Sequence, residues 1–442
     1  MKQLFNITRY EFWHFVKSPF KVISLILFIC AAIYSIQCGY GLYKKQNHEI
    51  EMVKKQDRET EAQVIGWYDA GKKGPAEKYW IDITTPMRAV WYAPASAFKA
   101  PSVLMPFSIG QAEQFGYYKQ ITNTSSVFDA DLSEEIANPE RLAIGTLDFS
   151  FVVIYLLPIL IIVFLFNIGG FERDTGLYDM VKVNRLYVPL WLLARCLFYF
   201  VLTIVVVLLL MLSYALPLNA LSERFFALFG IITLYIVCWF MVAFVVAVTG
   251  SGSSDQAIKL ASIWLLLSIV FPGSIKQLTV SKNPSDYLTD YLDASREETY
   301  KLDELKSEQL KRKFLGSYPE LSETAYGKEN STDEDVDHNS MSGLSNKIIK
   351  IASTKVENKN EDRNNFIRSM YWINPLAWFQ NRMNTLCGTD YYSYRKYREK
   401  IQATIDLKIK LILIDSWNRK TVDKDQFIQY IDDLKEIQRS DH

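Results

Sequence analysis

Four histidines, His14, His48, His338 and His442, are all the imidazoles available for acid–base or metal chemistry. His48 is followed by Glu49, but the second histidine that a zinc-binding H-E-x-x-H needs four positions on is absent. Ser251 and Ser253, in Gly250-Ser251-Gly252-Ser253, sit where a membrane serine protease could carry its nucleophile. No histidine falls in an apolar segment to act as the base, so these residues read as a turn. Gly71-Lys72-Lys73-Gly74 lacks the spacing of a phosphate-binding loop. The acidic cluster Asp333, Glu334, Asp335 and Asp337 lacks the glycine and terminal glutamate of a calcium loop and reads as an exposed flexible tip. Of five cysteines, Cys30, Cys38, Cys196 and Cys238 lie in apolar runs and Cys387 stands alone, which leaves no disulfide or zinc framework. The expectation is a non-enzymatic chain with no catalytic residue, metal or cofactor of its own.

One polar stretch does suggest a function. Glu172, Arg173 and Asp174 set acid and base side by side, Thr175 and Gly176 follow, and Leu177, Met180 and Val181 form a short apolar helix face ahead of Asn184 and Arg185. Such a segment suits a short helix lying across a membrane surface with charges to grip a partner; an ordinary charged loop is the competing reading. Lysine plus arginine equals aspartate plus glutamate at 49 each, so no protein-wide field exists to collect nucleic acid.

The elements around that stretch are apolar runs of about the ~20 residues a helix needs to cross ~30 Å of hydrocarbon. The chain divides into an amphipathic elbow helix at 1–21, spans at 22–42, 149–168, 190–212, 225–248 and 260–272 (from about 256 in a longer reading), and polar connectors between them. The fold class is therefore a mainly α polytopic membrane protein with five spans and two large polar segments, 43–148 and 273–442. The start is not a cleavable leader, because its apolar run is of full span length with no small-residue cleavage site after it. Pro19 should separate the elbow, with Phe5, Phe12, Phe15 and Val16 on one side, from the first span.

Orientation follows from basic residues in short loops. Lys2, Arg9, Lys17 and Lys21 precede the first span, and Arg173, Lys182 and Arg185 follow the second, whereas 213–224 carries only Arg224. The N-terminus, the loop 169–189 and the loop 249–259 are expected in the cytoplasm, and 213–224 and both large segments outside. Residues 44–69 should extend the first span as a helix, and Trp80 to Tyr118, rich in aromatics and prolines, should form a compact irregular module. Pro284 to Leu315 reads as a solvated helix and Trp372 to Phe379 as an interface-seeking element. Tyr391 to Trp417 reads as an amphipathic helix too charged at Asp406, Lys408 and Lys410 to span lipid. Pro158 and Pro272 are candidate bending points, Pro272 at the end of the fifth span.

At 171–181 the chain resembles permease subunits of the ABC-2 type, in which the second span is followed by a glutamate, a glycine a few positions on, and an apolar coupling helix that docks into the ATPase. Glu172, Gly176 and Leu177 match that pattern. Arg195 resembles the basic residue the family often places in its third span, although snorkelling to the interface would equally account for it. The two large insertions and Asn374-Pro375 through Asn384, then Gly388-Thr389-Asp390-Tyr391, resemble the branch carrying the domain of unknown function 3526, common in bacteria with an outer membrane.

The resemblance implies an exporter's membrane subunit in the inner membrane, with periplasmic domains. It would work with ABC ATPase subunits, which use ATP and Mg, and with a second permease, identical or related, among membrane lipid. The family norm is six spans, and the five here depart from it. A non-transporting membrane scaffold or sensor whose outer segments bind a partner is the alternative.

Overall fold

The computed structural model describes residues 2–78, 80–131, 147–183, 188–282, 300, 302 and 304–439. It is mainly helical, and among the described residues five helices are long and apolar enough to cross a membrane: Pro19–Asp69, Phe149–Asp174, Val188–Ala215, Glu223–Thr249 and Ser253–Lys282. They are called the first to fifth spans below. A separate helix, Lys2–Val16, precedes them. Pro19 occupies the first position of the next helix, where a missing N–H costs nothing, and holds Ser18 in an extended conformation.

The fifth span departs from the sequence reading: it begins at Ser253 and continues past Pro272 to Lys282. A π-helical turn, Leu266–Val270, lies immediately ahead of that proline. A widened turn gives the ring room beside the carbonyl four residues back, so the helix can continue through it. The second span repeats the device with a π turn at Val152–Leu156 ahead of Pro158. The Ile154 carbonyl, which Pro158 cannot serve, accepts the Tyr235 hydroxyl at 2.6 Å. Next to it the Tyr155 carbonyl accepts the Trp264 indole N–H at 3.1 Å. A bare carbonyl in hydrocarbon costs several kcal/mol, so these donors from the fourth and fifth spans are what let the irregular second span persist in a bilayer.

The second span runs through the centre of the bundle. Phe149, Val152, Leu157, Ile161 and Phe164 are buried among residues of the other spans, such as Ala32, Tyr199, Ile232 and Leu260. The first span contacts the loop at Met105–Phe107 closely enough that a Cβ on Gly39 would stand 2.6 Å from the Pro106 Cα.

A thirteen-residue helix, Pro375–Cys387, contributes Leu376, Phe379, Met383 and Cys387 to this membrane core. The Phe379 ring meets Tyr235 at 4.9 Å, and Tyr235 lies about 18 Å along its helix from Glu223 at 1.5 Å per residue. The segment that the sequence marks as interface-seeking, Trp372 to Phe379, therefore overlaps the start of a helix too short to span that packs against the fourth span. Asn374 caps its start by accepting from the Ala377 N–H at 3.2 Å, and Gly388, at φ +68°, ends it.

The two large polar segments share one core. Val64, Ile83, Val90 and Phe128 pack in the same cluster as Phe314, Ile401, Ile405, Trp417 and Phe427. The first segment supplies the membrane-distal end of the 51-residue first span and a short antiparallel strand pair, Ser96–Phe98 with Tyr118–Gln120. The second supplies helices Glu334–Ser369, Tyr391–Trp417 and Lys424–Arg439.

One reading of the second segment needs correction. The acidic residues at 333–337 form a helix start rather than a flexible tip: Asp333 accepts from the N–H groups of Asp335 and Val336, and the remaining acids favour the positive end of the helix dipole. Helix Tyr391–Trp417 is amphipathic as the sequence indicates, with Tyr392, Lys396, Glu399, Ala403 and Lys410 exposed along one face, and Lys408 falls on the buried face. The Lys408 ammonium donates to the carbonyls of Val90, Ala93 and Ile121 at 2.9–3.0 Å, which makes a charged residue tolerable in the core. The helix expected at Pro284 to Leu315 lies mostly outside the described residues; its C-terminal part is the helix Ser307–Ser317.

Candidate functional site

The charged loop after the second span folds against three other elements at the bundle end remote from the large domain. Gly169, at φ +72°, turns the chain out of the second span into a short helix, Gly170–Asp174, and Gly176, at φ +75°, turns it again into Tyr178–Val183. The described part of the loop stops at Val183, so Asn184 and Arg185 lie outside it.

Glu172 points back into the bundle. Its Oε1 accepts from Nη1 of Arg195 at 2.6 Å. On the other side the Arg195 Nε donates to the Glu11 carboxylate, and the guanidinium lies 4.9 Å from the centre of the Trp191 ring. Arg195 is 4 % exposed and Glu11 fully buried, so the arginine does not snorkel. A guanidinium can serve two carboxylates at once because its donors fan out in a plane. The pairing links the N-terminal helix, the third span and the loop through one cation.

Lys21 extends this polar cluster. Its Nζ donates to the Phe164 carbonyl at 2.8 Å and to the Tyr199 hydroxyl at 3.0 Å. Phe164 lies in the last turn of the second span's regular helix, where carbonyls lack helical partners and a cation is favoured. His14 borders the same cluster, its imidazole held below its usual pKa chiefly by burial.

Arg173 faces the opposite way and closes the fourth span. It donates to the carbonyls of Ala247 and Val248 at 3.1 and 3.2 Å and to that of Gly250, and its guanidinium stacks over the Tyr178 ring at 4.7 Å. Asp174 accepts from the Ser253 N–H at 3.1 Å, the first residue of the fifth span. Gly170 is so close to Ser253 that a Cβ there would meet its backbone at 2.8 Å. Gln256, with its amide nitrogen turned toward the carbonyls of Phe166 and Ile168, also accepts from Arg173.

Glu172, Arg173 and Asp174 are therefore engaged within the chain. Thr175 returns its hydroxyl to the Phe171 carbonyl at 2.8 Å. Leu177 and Met180 are exposed, as are Phe171 and Val183 beside them, while Val181 is half-buried. The outward surface of the loop presents these apolar side chains together with exposed Asp174, Thr175 and Asp179.

Of these residues, sequence reading had singled out Glu172 to Val181 and Arg195 but not Glu11, Lys21 or Gln256 as their partners. The signal for Glu11 was present: an acid on an amphipathic helix next to a span, with an unexplained arginine at the same depth of another. For Gln256 no such signal existed, since its partners are backbone carbonyls.

Among the described residues no group of histidine, cysteine and carboxylate side chains could hold a metal ion. No curated protein and no solved structure matches the chain. A family model described as a domain of unknown function, DUF3526, matches residues 291–432, less than half of the chain; that match covers most of the second polar segment, including the short Pro375–Cys387 helix, and none of the five spans.

Proposed function

We propose that this chain is the membrane-spanning subunit of an ATP-driven exporter of the ABC-2 type. It sits in the bacterial inner membrane with its N-terminus and the 170–183 loop cytoplasmic and its large domain periplasmic. The loop docks a separate ATPase, which uses ATP and Mg, and a second permease, identical or related, completes the transporter.

The observation that carries this reading is the two-faced loop: Leu177 and Met180 exposed outward, and Glu172 bonded inward through Arg195 to Glu11. A partner that pushes on the apolar face moves Glu172. Glu172 can move only by taking Arg195 and the N-terminal helix with it or by breaking a buried ion pair. Either response gives two arrangements of the bundle that an ATPase can bind with different affinity, as any coupling requires. Arg173 and Asp174 extend the same motion to the junction of the fourth and fifth spans.

The test is co-purification with a nucleotide-binding subunit when the chain is expressed together with its genomic neighbours. Met180→Asp with Leu177→Asp alters exposed side chains and is expected to abolish the complex while leaving thermal stability unchanged. A wild-type chain that retains no nucleotide-binding subunit, or a complex indifferent to both substitutions, would remove the exporter reading in favour of a membrane scaffold or sensor.

A further inference from the structure

A cavity of about 630 Å³ opens on the large domain between helices Glu334–Ser369 and Tyr391–Trp417, with the turn Pro319–Glu323 as its third wall. Its volume is in the range of small-molecule sites. The two helices run antiparallel, since Asn346 bonds to Asp406 while Glu361, further along, pairs with the earlier Arg395. Four-residue spacing puts Lys347, Ile351 and Lys355 on one face of the first helix and Ile409 and Leu413 on one face of the second. Both faces line the cavity.

Its floor is aliphatic and its rim cationic. Leu321, Ile409 and Leu413 are buried, and Ile351, 55 % exposed, stands at the mouth. The neutral polar side chains of the lining are already engaged: the Tyr318 hydroxyl donates to the Gly343 carbonyl at 2.8 Å, Thr354 to the Lys350 carbonyl at 2.7 Å, and the Asn346 amide to Asp406 at 3.0 Å. A peptide would find little here to pair with its amide groups, whereas an alkyl chain asks for no partner. The charges do not cancel, because four lysines share the lining with two carboxylates. Asp406 is spent on Lys350, Asn346 and Gln402, and Glu320 stands apart on the third wall. Lys347 donates to the Ser317 carbonyl. Lys355 and Lys410, one on each helix, are exposed and have no partner among the described residues.

The cavity is also remote from the bilayer. Lys408, beside Ile409, has Asp57 of the first span as its electrostatic neighbour. Asp57 lies about 22 Å beyond Leu42, where that span's apolar run ends, at 1.5 Å per residue. A lipid still seated in its leaflet does not reach so far, which leaves a detached amphiphile as the ligand.

We propose that this cavity binds a fatty acid that has left the membrane. Its alkyl chain lies over Leu321, Ile409 and Leu413, and its carboxylate is held between Lys355 and Lys410. The proposal does not rest on the exporter reading, since no residue of the 170–183 loop takes part.

The experiment is photo-crosslinking of the full chain, in phosphatidylcholine nanodiscs, with myristic acid carrying a diazirine in its chain, read by mass spectrometry of the labelled peptides. Label should appear on the peptides that hold Ile351 and Leu413. Unlabelled myristate should displace it at about tenfold lower concentration than tetradecylamine, because each exposed lysine attracts the carboxylate by a factor of a few and repels the amine by as much. Acetate should not displace it. Lys355→Glu with Lys410→Glu should erase the preference, and the equal charge change Lys72→Glu with Lys78→Glu, on exposed lysines of the first polar segment, should preserve it. Should the first pair fail to fold, Ile351→Asp alters one exposed side chain with both lysines kept and should weaken labelling of the cavity peptides. A wild type labelled on its spans alone overturns the proposal. Equal displacement by the amine overturns it as an apolar patch indifferent to charge, and equal displacement by acetate as a soluble-anion site. Labelling and preference that survive both the charge reversal and Ile351→Asp overturn it too.

Discussion

Replacing Arg195 with methionine would take the one cation from between two carboxylates. Methionine keeps most of the unbranched stem, so the loss is electrostatic more than steric. Glu11 is fully buried and the Glu172 side chain is 13 % exposed. Removing one partner of a buried pair costs about 3–5 kcal/mol, and here a single deletion strands two acids, which puts the expected loss near the upper end, about 5 kcal/mol. If stranded charge is the cause, removing the charge should cure it. Glu11→Gln and Glu172→Gln added to Arg195→Met should bring stability back to within about 2 kcal/mol of wild type, since buried ion pairs replaced whole are often nearly neutral. Reversible unfolding in mixed micelles, followed by tryptophan fluorescence, measures both. A single variant within about 1 kcal/mol of wild type, or a triple variant no more stable than the single, would refute the view that this cluster is a closed ionic unit.

Burial pushes the Lys408 ammonium down to about 7, against 10.5 in an open chain. Between those values the unfolded chain binds a proton that the folded one does not, so the stability of the wild type should rise with pH relative to Lys408→Met, by up to about 1.4 kcal/mol per pH unit. Urea titrations of both proteins at several pH values between neutral and about 10 check the slope and its sign. Tyr235→Phe deletes the donor to the Ile154 carbonyl and should destabilise the bundle by about 1–3 kcal/mol in the same micelle assay, with the large domain's protease resistance unaffected. Asp148, whose carboxyl is held above its usual pKa by burial, caps the second span by accepting from Phe151 and also accepts from the Ile109 N–H. Asp148→Ala should cost about 2 kcal/mol or more, and Asp148→Asn less, because the amide oxygen can still accept.

The membrane helices were readable because hydrocarbon imposes a length and excludes charge, and five runs of that kind stand out against polar connectors. The fifth was read too short: Pro272 and the lysine beyond it look like a stop, and only packing shows that a π turn carries the helix through. The loop at 171–181 was visible as a charged stretch with an apolar face. Which side of it is used inward was not, because Glu172 and Arg173 are adjacent in sequence yet face opposite ways after a turn set by Gly169. Pairings across 184 residues, such as Arg195 with Glu11, leave no local periodicity to read. That 43–148 and 273–442 share one core is not legible in sequence, since contacts between distant stretches leave no signature in either stretch alone.

That shared core dictates an order of biosynthesis. Its first half is synthesised before four of the five membrane helices and its second half after all of them. Val64, Ile83, Val90 and Phe128 must wait, uncovered, until Ile401, Trp417 and Phe427 arrive. The domain therefore cannot act as an early folding nucleus for the bundle. It can close only after the fifth span has been made, together with the Pro375–Cys387 helix that completes the membrane core, and the three carbonyls that Lys408 serves lack that donor until then. A nascent chain halted after the fifth span would present an unfinished apolar surface to proteases and chaperones on that side of the membrane, and completing the chain would withdraw it.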